Sequence, residues 1–121
     1  MNQTFSRASP SARYTELVAL YRKMHLEGEV ARNRPPEKVY PGDSLPVHAL
    51  PIKIMIDATG ARSLLDYGAG KGLQYQWQNL KLSDGRTVPA LKSFWGVDDI
   101  TCYDPAYPSF TAVPKSKFDG V

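Results

Sequence analysis

The segment Asp66-Tyr67-Gly68-Ala69-Gly70-Lys71-Gly72 constrains this chain more than any other. Three glycines at alternate positions follow the short, mainly apolar run Ser63-Leu64-Leu65-Asp66-Tyr67. Such a run bounded by glycines reads as a strand. Alternating glycines let the backbone turn sharply and pass close to a ligand with no Cβ in the way. Leu73-Gln74-Tyr75-Gln76 is compatible with a helix, so the expected unit is strand, tight turn and helix start, with free N–H groups at the helix N-terminus. Two common nucleotide motifs do not fit. The dinucleotide fingerprint G-x-G-x-x-G needs a third glycine at position 73, which is Leu73. A phosphate loop needs glycine at position 65 and Ser or Thr after Gly70-Lys71, where the chain has Leu65 and Gly72. The plain alternative is a tight turn with no ligand.

The rest of the chain alternates helix and strand signals. Residues 1–10 are polar and closed by Pro10, and read as a tail. Tyr14, Leu17, Val18, Tyr21 and Met24 then fall on one face of a helix, with Gly28 as a stop. Residues 31–46 hold Pro35, Pro36, Pro41, Gly42 and Pro46, which is loop chemistry. A second helix is expected from about Val47 to Thr59, with Ile52, Met55, Ile56 and Thr59 on one face and Gly60 at its end. Pro51 requires it to start there or to have an irregular first turn. Asp84-Gly85, between Leu80-Lys81-Leu82 and Thr87-Val88, signals a hairpin, whose second strand Pro89 confines to an edge. Ile100-Thr101-Cys102-Tyr103 reads as the next strand, ended by Asp104-Pro105, and Lys117–Val121 as the opening of another.

Composition bounds the class. A chain of 121 residues with 42% hydrophobic and 22% charged residues fits one globular domain, expected over 11–121. No stretch approaches the roughly 18 apolar residues of a membrane span. No apolar segment of a secretory leader follows Met1, and the single cysteine, Cys102, fits a reducing compartment. The expected location is therefore cytoplasmic. The net charge of +3 resides entirely in the first half of the chain. No basic run or stripe interleaved with aromatics points to nucleic acid, and no His, Cys or carboxylate cluster has metal-ligand spacing.

Apolar strand, acidic residue and x-G-x-G-x-G together resemble the class I S-adenosylmethionine-dependent methyltransferases. In that family the acidic residue and the glycine loop contact the methionine part of the cofactor, and an acidic residue ending the next strand takes the two ribose hydroxyls. The resemblance covers roughly residues 40–121 and looks like a bacterial branch of the family. It implies an α/β fold, a truncated doubly wound (Rossmann-like) parallel sheet preceded by helices. It implies S-adenosylmethionine as cofactor, methyl transfer as the activity, and Asp66, Tyr67, Gly68, Ala69, Gly70, Gly72, Asp104 and Pro105 as cofactor-binding residues. A carboxylate suits a cis-diol, because one acceptor group can serve two O–H donors.

The departures are specific. Asp104 lies 32 positions beyond Gly72, against roughly 20 in related folds, an excess assigned to the hairpin. The stretch from Pro105 to Ser116 is too short for a further helix–strand–helix unit. Phe118-Asp119-Gly120-Val121 would open the family's fourth strand, so the sequence resembles the cofactor-binding half and supplies no catalytic residue. Such a sheet would leave an open edge, and a second copy of the chain is the simplest cover. The alternative function is a non-catalytic cofactor-binding or interaction module, completed by a partner or by self-association. Lys71 is expected in solvent, and His25 at the surface or core edge. His48 lies in the first turn of the expected second helix, or just before it if that helix starts at Pro51; Cys102 reads as a small buried hydrophobe, and Trp77 and Trp95 as core or interface residues.

Overall fold

The computed structural model describes residues 3–121; Met1 and Asn2, the first residues of the expected tail, lie outside them. Residues 3–10 form neither helix nor strand and are exposed. The first helix, α1 (Ala12–Glu27), begins where the Ser11 side chain accepts the Tyr14 N–H at 3.1 Å. That cap satisfies a backbone donor that no helical carbonyl can reach. Gly28 ends the helix at φ 79°, its N–H returning to the Met24 carbonyl. Three short 3-10 turns follow among the prolines: Val30–Arg32, Pro36–Lys38 and Leu45–His48. The last runs directly into α2 (Ala49–Thr59), so the 3-10 turn absorbs the irregular start that Pro51 requires. Gly60 closes α2 in the left-handed conformation.

Strand β1 (Ser63–Tyr67) leads through the glycine loop to an antiparallel hairpin, β2 (Leu80–Lys81) with β3 (Thr87–Val88). A one-turn helix, α3 (Leu91–Trp95), then returns the chain to β4 (Asp99–Tyr103). Strands β1 and β4 are parallel and in register from Ser63 opposite Asp99 to Tyr67 opposite Tyr103. On its other side β1 bridges Gly120, with the Leu65 N–H donating to the Gly120 carbonyl at 2.9 Å. Successive residues of a strand direct their backbone groups to opposite neighbours. Arg62 and Gly68 bond toward β4, whereas Ser63 and Leu65 bond toward Asp119 and Gly120. The segment 119–120 and β4 therefore flank β1 from opposite sides. The architecture is mixed α/β, built on a small parallel sheet.

The core lies between this sheet, α2, α3 and the hairpin: Ala49, Ile56, Ala61, Leu80, Leu82, Leu91, Trp95 and Val97. Trp95 is buried and donates its indole N–H to the Ala49 carbonyl at 3.0 Å, tying α3 to the start of α2. It is a core residue, as the sequence implies. The face of α2 is narrower than expected: Ile56 is buried, whereas Met55 is exposed.

Two expectations need correction, and one element was not expected. No α-helix follows the glycine loop; Leu73–Tyr75 is a single 3-10 turn. Gln74 and Tyr75 turn back onto Asp66, and Asn79 at φ 54° diverts the chain into the hairpin. The strand expected at Lys117–Val121 amounts to one bridge at Gly120. Helix α3 has no counterpart in the sequence reading, because five residues cannot display a helical period.

The core makes a direct prediction. Leu91 is fully buried, and truncating a buried leucine costs about 2–5 kcal/mol. Leu91→Ala should lower the urea unfolding midpoint strongly. Ile54→Ala, at an exposed position on α2, should shift stability by no more than about 0.5 kcal/mol.

Candidate functional site

A cleft of about 880 Å³ opens beyond the carboxyl ends of β1 and β4. That volume lies within the roughly 300–1,000 Å³ of small-molecule sites. Ligands of open parallel sheets bind at such strand ends, where the chain passes from one side of a central strand to the other. The floor is Asp66, Gly68, Ala69, Gly70, Asp104 and Pro105. Six of the eight residues expected to bind a cofactor thus meet around one cavity. Tyr67 and Gly72 are not among the cleft's lining. Tyr67 is exposed on another face against the Tyr103 ring. Gly72 is buried, and a Cβ there would come within 3.0 Å of Phe110 and 3.3 Å of the Cys102 sulfur. That glycine is required by packing.

The glycine loop is held by the end of β4. The Tyr103 carbonyl accepts from the N–H of Gly68 at 2.8 Å and of Ala69 at 3.0 Å. Asp104 Oδ2 accepts from the Gly70 N–H and Oδ1 from the Ala106 N–H, both at 2.8 Å. The Gly72 N–H donates to the Ala69 carbonyl at 3.2 Å. Four loop donors are therefore committed inside the protein. A phosphate cradle works by aiming such N–H groups at an anion, and in residues 68–72 only the Lys71 N–H is not engaged within the protein. What the site presents instead is carboxylate.

Asp66 and Asp104 differ in how much acceptor capacity remains. Asp104 is nearly buried, with one backbone donor on each oxygen. Asp66 receives the Tyr75 hydroxyl and the Gln74 amide on Oδ2, while Oδ1 takes no hydrogen bond among the described residues. Burial, followed by the Asp66 contact, holds the Tyr75 phenol protonated far beyond the ordinary tyrosine range. At Gly68, φ is 85° and a Cβ would meet nothing within 4 Å. The residue is glycine for its backbone conformation.

The wall of the cleft comes from α1. Tyr14, Leu17, Val18, Tyr21 and His25 line it, so the helix's apolar face looks onto the cavity, and only His25 of α1 is buried. Arg34, Lys38, Tyr40 and Asp43 also line the cleft, beside α1. Tyr40 holds φ at 48°, uncommon for a bulky side chain, and its ring packs on Tyr21 and His25 at 6.0 and 5.4 Å. Sequence reasoning missed these four residues; the only trace was the Pro41-Gly42 turn beside Tyr40.

Lys71 is not in free solvent as expected. Its ammonium donates to the Val39 carbonyl and lies 3.1 Å from His25 Nδ1, and desolvation lowers its pKa. Neither His48 nor Trp95 lines the cleft. Cys102 is half-buried, its thiol pushed up to about 11 by burial and then by Asp66. Among the described residues no group of three His, Cys or carboxylate side chains could hold a metal ion, and no helix is long and apolar enough to cross a membrane.

Comparison with protein-family models, curated proteins and solved structures finds no match. The site must be read from its own chemistry.

The two aspartates should respond differently to loss of charge. Asp104→Asn has one carbonyl oxygen for two backbone donors, and its NH2 must face the other. An unsatisfied buried donor costs about 1–3 kcal/mol, so this variant should melt clearly below the wild type. Asp66→Asn can still offer an oxygen to Tyr75 and Gln74 and should lose less. Parallel thermal and urea melts check the order.

Proposed function

We propose that the cleft binds S-adenosylmethionine and that the protein is a methyltransferase-like protein of the class I type. The observation that carries this reading is the acceptor-rich floor: a glycine loop with all but one of its N–H groups internally committed, beside Asp66 with one carboxylate oxygen open. Such a floor suits a ligand bearing cationic and O–H donor groups and disfavours one bound by phosphate. S-adenosylmethionine has an ammonium, a sulfonium and a ribose diol. In this reading Asp66, Gly68, Ala69 and Gly70 hold the methionine part. Asp104 keeps one acceptor site on each oxygen for the diol while holding the loop, and Pro105 borders it. The doubly wound class is the finer form of the small parallel sheet, in which β1 lies between β4 and residues 119–120.

When bound, the cofactor supplies a methyl group already activated on sulfur, so the chain need only bind, orient and exclude water. The cleft has the parts for this: a carboxylate floor and a half-apolar wall on α1. The acceptor is a further small molecule or side chain reaching the same cleft.

A second reading is favoured by a separate observation. A groove of about 590 Å³ beside β1 is lined by Ile52, Met55, Leu65, Tyr67 and Val121, and the outer edge of residues 119–120 pairs with no strand among the described residues. Unpaired strand edges invite another chain. This supports a cofactor-binding module that self-associates, most simply as a two-fold dimer, which sedimentation measurements would reveal.

Isothermal titration with S-adenosylmethionine and S-adenosylhomocysteine tests the main reading. Saturable binding is expected. Hydrogen bonds to charged groups contribute about 1.5–3 kcal/mol, so Asp66→Asn, folded by its melt, should bind about 10- to 100-fold more weakly. Gly68→Val forces a β-branched residue to positive φ beside the floor and should abolish binding. Tighter binding of NAD(H), or unchanged affinity in both variants, would overturn the proposal.

A further inference from the structure

Helix α1 stands outside the core, and its polar ties to the body of the protein are few. Near its middle, Arg22 reaches the Pro105 carbonyl at 3.4 Å. In its last turn, His25 Nδ1 meets Lys71 Nζ at 3.1 Å, and the same ammonium donates to the Val39 carbonyl. Lys71 belongs to the glycine loop, so this contact, like that of Arg22 with Pro105, joins the wall of the cleft to its floor. The His25 ring is only 5% exposed. Tyr40 and Tyr107 pack on it with ring centroids 5.4 Å away.

The contact dictates a protonation state. A lysine ammonium has donors only, so Nδ1 must be the acceptor and the imidazole neutral. A proton on Nδ1 would place two cations 3.1 Å apart in a half-buried site. We propose that His25 and Lys71 form a pH-sensitive clasp that holds α1 against the cleft while His25 is neutral and releases it when His25 is protonated.

The surroundings favour the neutral ring. Lys71 faces it from the glycine loop, Tyr40 from the 39–42 segment, and Tyr107 and Asp104 from the loop after β4. Beyond Tyr40, Glu29 and Arg34 pair with each other at 3.3 Å. On α1 itself Tyr21 packs on Tyr40. Asp104 is the one group that stabilises imidazolium, and its effect is smaller than those of burial and of Lys71. Burial first, and Lys71 second, bring His25 below its ordinary 6.5, with Asp104 opposing. The sign follows. Above pH 6.5 the ring is neutral whether α1 is docked or released, and the clasp is at full strength. As pH falls below 6.5 the released, solvated imidazole takes up a proton first, and the clasp is lost as pH passes through the lower docked value.

Amide hydrogen exchange on the intact chain, alongside NMR titration of its two histidines, tests this without any ligand. Between pH 8 and pH 5, protection factors of α1 amides should fall at least tenfold, while those of α2 and β1 hold. The midpoint should follow the His25 resonance. His25→Gln offers a non-titrating oxygen to Lys71 and should keep α1 protected across the range. His48→Gln, at an exposed site, should leave the pH dependence intact. The clasp is wrong if α1 protection does not change, or if it falls in step with the core. It is also wrong if the loss persists in His25→Gln or vanishes in His48→Gln. The wild-type profile decides even if His25→Gln does not fold.

Discussion

The end of β4 holds the cleft together. Four hydrogen bonds, two to the Tyr103 carbonyl and two to the Asp104 carboxylate, bind the glycine loop and the turn at Ala106 to one short stretch of chain. They follow from the parallel register, which places Tyr67 opposite Tyr103 and so brings the next residues of both strands together. A one-residue slip of β4 would put the Tyr103 side chain where the Asp104 carboxylate belongs. The fold and the site therefore share a single constraint. The price is that all but one of the loop's own donors are used up, which sets the sign of the chemistry the cleft can offer.

Helix α1 shows what an apolar periodicity does and does not mean. Its spaced Tyr14, Leu17, Val18 and Tyr21 are the pattern of a helix that buries one face, yet that face borders a cavity. Tyr14 is 45% and Tyr21 40% exposed. Monomeric proteins seldom leave a contiguous apolar face open without a binding role. The periodicity shows which residues need cover without saying whether the cover is core, partner or ligand. Here geometry turns them toward the same space as Asp66.

Sequence reasoning reached β1 to the residue, found β4 within one, and found the hairpin and both long helices, because each carries a local signal: an apolar run, Asp-Gly, a capped periodic segment. It also brought Asp66, Gly68, Ala69, Gly70, Asp104 and Pro105 to one place, through the resemblance to the class I methyltransferases and not through any local signal linking Asp104 to the glycine loop. It missed what depends on distant contacts. Lys71 between two glycines looks solvated until the fold brings the Val39 carbonyl and His25, 46 positions away, to its ammonium. Gly72 looks like a third ligand-facing glycine until Phe110 is found packed against it. The helix expected after the loop failed because Asp66 draws Tyr75 and Gln74 back, and a side-chain network of that kind outweighs weak helix propensity.

The charge layout of the cleft bears on the proposed ligand. Asp66 and Asp104 lie on the floor, while Arg34 and Lys38 line the cleft beside α1. Arg34 is engaged with Glu29 at 3.3 Å, whereas Lys38 has no ion-pair partner among the described residues. Asp43 lines the cleft together with Lys38, so the sign of the cleft is set by Asp66 and Asp104, which favour a ligand that carries a cation. An ammonium suits the open oxygen of Asp66, and the methionine part of S-adenosylmethionine carries one. A charge fixed on one part of a cleft orients a ligand more than it tightens it. Orientation is what a methyl transfer requires, because the sulfonium carries its own activation and the remaining barrier depends on holding the acceptor in line.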